Sequence, residues 1–112
     1  MLPFVILYTL IGLLFMGLSV PLIQKRIKPN PWYGFRVPKT LSDERIWYAA
    51  NAYSGVTLFL AGAAIALSAL VLAPVAWLFR LGPGGYVFGC TLVILGSLLW
   101  SLVLSFRYLS KL

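Results

Sequence analysis

The sequence predicts an all-α integral membrane protein with three transmembrane helices, and three observations carry that reading. Of 112 residues, 62% are hydrophobic and only 10% are charged, with a mean hydropathy of +0.97. Soluble domains carry about 25% charged residues. Three apolar runs, Leu2 to Ile23, Ala49 to Ala73 and Tyr86 to Phe106, each supply the ~20 residues that cross ~30 Å of hydrocarbon as helix. Both acidic residues and most of the basic ones gather between the first two runs. The reading is a single membrane domain over 1–112: helix one 2–23, a cytoplasmic motif loop 24–41, helix two 42–73, an outer loop 74–85 and helix three 86–106.

Helix one resembles a secretory leader only in position. No basic residue precedes it, it exceeds the usual h-region length, and no small-residue cleavage pattern follows, so it is expected to be retained. Pro3 stands in the first turn, where its missing N–H has no intrahelical partner to lose, and Pro21 marks the exit.

The loop is aromatic and punctuated. Pro29 and Pro31 force extended backbone at the residues before them, Gly34 permits a turn, and Pro38 is expected to delay helix formation, which together predict an ordered reverse turn. Trp32, Tyr33 and Phe35 suit the head-group level. Arg36 is expected to pair with Asp43 or Glu44, a guanidinium-carboxylate fork that would pin loop to helix; the other role open to it is recognition of an anionic group.

Helix two begins with Thr40 or Ser42 as N-cap, which places Asp43 and Glu44 in the first turn, where carboxylates favour the positive end of the dipole. From Ser42 to Ala73 it would run roughly 48 Å, so its first turns stand in the interface. Trp47, Asn51, Ser54 or Gly55, and Leu58 share one face. An unpaired amide in an apolar setting costs a few kcal/mol, so Asn51 should face protein, with loop backbone as its partner. A helix-packing role and a ligand-facing role both remain open for Trp47 and Asn51. Gly55, Gly62 and Ala69 recur every seven residues among other small residues, which makes this the central helix of the bundle.

Helix three repeats the seven-residue spacing at Gly89 and Gly96 and carries Ser97, Ser101 and Ser105 at intervals of four, a pattern read as helix contact rather than pore lining. Cys90 is the only cysteine, so no intramolecular disulfide forms, and it is read as a small buried hydrophobe. With no histidine and two carboxylates adjacent in sequence, neither a metal site nor a paired acid-base centre has its raw material. No enzyme activity and no cofactor are expected.

The net charge of +7 is read as orientation rather than as a nucleic-acid footprint. Lys25, Arg26, Lys28, Arg36, Lys39 and Arg45 precede or open helix two, Arg107 and Lys111 follow helix three, and Arg80 alone occupies the second connection. The positive-inside rule then puts the first loop and the C-terminus in the cytoplasm, with the N-terminus outside. Basic residues at the surface also attract anionic lipid head groups, so membrane lipids are expected partners.

The run N-P-W-Y-G-F-R-x-P-K-T-x-S-x-E-x-W-x-x-x-N, Asn30 to Asn51, resembles the signature of the SdpI family of bacterial membrane proteins, and its placement between two membrane helices with a third following is similar too. The motif covers about a fifth of the chain. By position the resemblance marks Asn30, Trp32, Gly34, Arg36, Pro38, Ser42, Glu44, Trp47 and Asn51. Of these, Asn30, Trp32, Arg36, Glu44, Trp47 and Asn51 are the candidate ligand- or partner-binding residues, and Gly34, Pro38 and Ser42 the structural ones. The resemblance implies a bacterial plasma-membrane protein conferring immunity to a secreted, membrane-active peptide toxin, with a signalling role in which a cytoplasmic regulator is held at the membrane. Longer members place further helices ahead of this three-helix unit, and a homo-oligomer would compensate for them here.

Two other classes compete. A small structural or regulatory subunit would use the small-residue faces of helices two and three to dock on a larger complex. A small transporter coupled to protons would need an intramembrane carboxylate, and the apolar runs contain none.

Overall fold

The computed structural model describes all 112 residues and contains four helices: α1 (Leu2–Ile23), α2 (Pro38–Leu41), α3 (Glu44–Leu78) and α4 (Gly82–Leu109). Three of them, α1, α3 and α4, are long and apolar enough to cross a membrane. The longest, α3, has 35 residues, or about 52 Å of helix, and the molecule measures 52 × 22 × 18 Å. Its long axis is therefore the length of α3, with both ends reaching beyond the hydrocarbon.

α3 is the central helix, packed by α1 on one side and α4 on the other. Small residues set the first contact. A Cβ added to Gly12 would lie 2.5 Å from the Ala66 backbone nitrogen and 2.6 Å from the Gly62 carbonyl oxygen, and one added to Gly62 would lie 2.6 Å from the Gly12 oxygen. Gly55 meets Ser19 and Ile23 one turn pair further on. Where lipid supplies no hydrophobic drive for association, such backbone approach maximises dispersion contact instead. Ala69 continues the same stripe into the core with Tyr8, Ala76, Tyr86 and Cys90.

Hydroxyl groups set the second contact. Thr57 bonds Ser101 at 2.7 Å and Ser105 at 3.4 Å, and Tyr86 donates to the Ala69 carbonyl at 2.7 Å, all buried. The serine stripe is therefore helix contact at Ser101 and Ser105, whereas Ser97 bonds its own helix at Val93. Cys90 is buried beside Tyr86 as a small hydrophobe. Gly89 meets Leu72, but nothing lies within 4 Å of a Cβ on Gly96, so that half of the α4 glycine pair takes no part in the bundle.

Several boundaries differ from expectation. α3 runs on through Pro74 to Leu78 and α4 begins at Gly82, so the far connection shrinks from 74–85 to Phe79–Leu81. A membrane helix tolerates the missing proline N–H, and Pro83 falls in the first turn of α4, where no bond is lost. α1 and α3 then terminate alike. Arg26 N–H bonds Pro21 O and Lys25 N–H bonds Leu22 O, while Leu81 N–H bonds Ala76 O and Arg80 N–H bonds Trp77 O. These are Schellman pairs, with Lys25 (φ 58°) and Arg80 (φ 56°) in the left-handed position where glycine is usual.

At the start of α3 the N-cap is Asp43, not Thr40 or Ser42: its carboxylate accepts from the Arg45 N–H at 2.8 Å, which leaves Glu44 in the first turn. Pro38 does not postpone helix formation but opens the single turn of α2. Thr40 and Ser42 belong to that turn, Thr40 accepting from Val37 N–H and Ser42 donating to the Lys39 carbonyl.

The candidate site: a motif loop stitched to the central helix

The loop between α1 and α3 is built by side chains that bond backbone. Asn30 closes its first turn: its Oδ1 accepts from the N–H groups of Trp32 and Tyr33 at 2.8 and 2.7 Å, and its Nδ2 donates to the Lys28 carbonyl. Asparagine suits this because its short amide mimics a backbone turn. Trp47, fully buried, donates its indole N–H to the Ile27 carbonyl at 2.8 Å.

Asn51, 2% exposed, does the most. Its Oδ1 accepts from the Phe35 N–H at 2.6 Å, and its Nδ2 donates to the carbonyls of Phe35 at 3.3 Å and Trp47 at 3.0 Å. The expectation of a loop-backbone partner is met at both polar groups of one residue. Gly34 makes the approach possible. Its φ is +113°, and a Cβ there would stand 2.7 Å from Asn51 Oδ1 and 3.2 Å from the Trp47 ring, so glycine is required on conformational and steric grounds alike.

The far side of the loop is tied to α4. Lys39 Nζ donates at 2.8 Å to the Leu109 carbonyl at the C-terminal end of α4, which also accepts from the Leu112 N–H. Phe35 meets Phe106 edge to face at 5.0 Å, and Tyr53 stacks on Tyr108 at 4.2 Å. The loop thus bridges all three long helices at one end of the bundle. Lys25, Arg26, Lys28, Arg36, Lys39, Arg45, Arg107 and Lys111 all lie at that end, with Arg80 alone at the other.

The predicted residues therefore divide. Gly34, Trp47 and Asn51 come together, Asn30 closes the loop's own first turn, and Pro38 and Ser42 lie in the adjoining turn. Trp32 is 86% exposed, and Arg36 and Glu44 are exposed too. Arg36 does not make the expected pairing with Asp43 or Glu44; its guanidinium donates to the Pro31 carbonyl, while Asp43 is committed to its cap. The sequence reading missed Lys39 as a clamp, and it missed Tyr33, whose hydroxyl is buried with no hydrogen-bond partner. Burial pushes the Tyr33 phenol above its ordinary pKa of 10.0, so it remains a protonated donor.

Below the loop lies a groove of roughly 360 Å³ between α1 and α4, floored by Ser54 and Leu58 of α3. α1 and α4 meet near the opposite end, where Tyr8 bonds Thr91 and its ring stands edge-on to Tyr86. Towards the loop they separate. Phe15, Leu18 and Leu22 line one wall, Leu98 and Leu102 the other, and Tyr33 to Arg36 close the top.

Three apolar spans joined through a polar, cation-rich loop define a multi-pass membrane protein. The model of the SdpI/YfhL protein family matches residues 26–106, and the chain belongs to that family. It is therefore a multi-pass bacterial membrane protein. Among curated relatives, the uncharacterized protein YfhL of Bacillus subtilis (strain 168) is 42% identical over 43 residues, which make up 38% of this chain and 39% of YfhL. The match spans about two fifths of that relative's length. No solved structure matches.

Proposed function

We propose that the protein is an immunity or resistance factor that protects its cell from a secreted, membrane-active peptide, with the basic end in the cytoplasm. The observation that supports this most is that the family match takes in the whole motif from Asn30 to Asn51, and the loop is fixed by hydrogen bonds to α3 and α4 while leaving the Arg36 and Trp32 side chains exposed at its surface. A fixed loop presents those two side chains in one geometry, which lowers the ordering cost of engaging an inserted peptide. In this reading Arg36, Trp32 and Glu44 contact the partner, and Asn30, Trp47 and Asn51 position them. The test is expression in a peptide-sensitive bacterium. Survival should rise with the parent chain and fall with Arg36→Gln or Trp32→Ala at equal membrane abundance; unchanged killing at verified expression contradicts the proposal.

A second reading has one observation in its favour. Gly96 and the exposed Phe88, Leu92, Leu95 and Leu99 lie on a face of α4 that the bundle leaves uncovered. A small residue within an apolar helix face suits close approach of another helix, either from a larger complex in which this chain is a structural or regulatory subunit, or from a second copy. Gly96→Leu should abolish co-purification of such a partner, and recovery of the same complex with that variant counts against it.

A further inference from the structure

The groove under the motif loop combines three features. Its walls are apolar: Phe15, Leu18 and Leu22 from α1 face Leu98 and Leu102 from α4. It lies within the spanning helices, so its natural filling is hydrocarbon and not water. Its closed end is polar and cationic, with Arg36 at the lining and Tyr33 beside it. No carboxylate lines this space.

Two groups at that end lack what they would ordinarily have. The hydrogen bond of the Arg36 guanidinium goes to a neutral carbonyl, that of Pro31, so its charge has no anionic partner there. Tyr33 lines the same groove, but its hydroxyl, for which the protein supplies no acceptor, is buried away from the open space. A cation without an anion, set above an apolar slot, is complementary to a molecule with an acidic head and a long alkyl tail. Basic pockets between membrane helices recognise anionic head groups through the same chemistry.

We propose that this groove is a binding site for an anionic phospholipid, one acyl chain lying between α1 and α4 and the phosphate meeting Arg36. The occupant comes from the leaflet at the basic end of the bundle. A bound lipid of this kind fills the gap where α1 and α4 separate and braces the loop from below. The site shares Arg36 with the protective role proposed above, but lipid retention is read separately from survival.

Native mass spectrometry of the detergent-solubilised protein tests it, using phosphatidylglycerol and phosphatidylethanolamine with identical acyl chains, and glycerol phosphate as a tail-free competitor. The parent should retain phosphatidylglycerol over phosphatidylethanolamine by about fivefold, the effect expected of a single cation near an anionic head group. Arg36→Gln should remove the preference, Arg36→Lys should keep it, and Leu102→Trp, which fills the slot from a lipid-facing position, should lower retention of both lipids. Glycerol phosphate should not compete. Equal retention of the two lipids by the parent overturns the proposal, as does a preference that survives Arg36→Gln. Competition by glycerol phosphate would make the site one for a soluble anion, and displacement of the lipid by a membrane-active peptide would assign the groove to the peptide; either outcome also overturns it.

Discussion

Asn51 and Phe35 are joined by a two-point bond in which the asparagine amide takes up the backbone N–H and C=O of a residue sixteen positions earlier. The amide acts as one rung of a sheet inside an all-helical protein. A buried polar group needs such a partner, because water does not reach it and an orphan is costly, and Asn51 is 2% exposed. Through that rung the loop acquires a fixed height and orientation on α3.

Replacing Asn51 with leucine leaves both Phe35 groups without a partner and removes the side-chain donor to the Trp47 carbonyl. The cost should be about 2–4 kcal/mol, the sum of one or two orphaned groups. From sequence, a leucine at this position reads as a variant that folds and merely loses activity. The structure changes that expectation: thermal stability in detergent should drop along with membrane abundance, and a melting curve checks it.

Gly34→Ala should be almost as damaging, because the new methyl group meets Asn51 Oδ1 and the backbone sits at φ +113°. A loss of about 1–3 kcal/mol is expected. Gly17→Ala is the matched control. Nothing lies within 4 Å of that position, so stability should stay level or rise by up to about 1 kcal/mol through helix propensity.

Much of the fold was legible in the sequence, and the failures have physical causes. Length and hydropathy placed three spans, and the seven-residue recurrence of Gly55, Gly62 and Ala69 identified the central helix because that spacing keeps small residues on one face. α1 is different. It is apolar all round, so no period distinguishes Gly12, which is buried against Gly62, from Gly17, which is exposed. Pro74 looked like a terminus because proline ends soluble helices, but a membrane helix has little alternative to continuing. Within the site, the loop partner of Asn51 followed from desolvation cost alone. The bonds of Trp47 to Ile27 and of Lys39 to Leu109 depend on the path of the chain in space, and no spacing encodes them. Arg36 was misassigned for a related reason: sequence proximity to Asp43 suggested an ion pair, whereas the cap geometry had already claimed that carboxylate.

Arg80→Gly should stabilise the protein. A non-glycine residue in the left-handed position costs about 1–2 kcal/mol, partly offset by the greater freedom glycine has when unfolded, so a net gain of about 0.5–1 kcal/mol is expected. Lys25→Gly tests the same term at the end of α1. A fall in melting temperature for both variants would show that the two Schellman turns carry no such strain.

Tyr33 links stability to pH. Its phenol has a raised pKa in the folded state, so the folded protein holds this proton more tightly than the unfolded chain and loses stability as pH rises beyond the ordinary value of 10.0. Tyr33→Phe cannot ionise. The variant should show a shallower alkaline decline than the parent in melts taken on either side of pH 10, and parallel declines would remove Tyr33 from the explanation.

Orientation is open to direct labelling. In a Cys90→Ser background, a cysteine introduced at the exposed Lys28 should resist a membrane-impermeant thiol reagent in intact cells, and one at Phe79 should react. The reverse pattern would turn the molecule over and place the basic loop outside.

The central claim is that the motif loop is a fixed structure held on α3 by Asn51, and amide hydrogen exchange at Phe35 in lipid nanodiscs tests it most directly. The account predicts that the Phe35 N–H exchanges as slowly as amides in the body of α3, and that Asn51→Leu releases it while the α3 amides stay protected. Exchange of the Phe35 amide at the rate of an unstructured chain in the parent protein would contradict it.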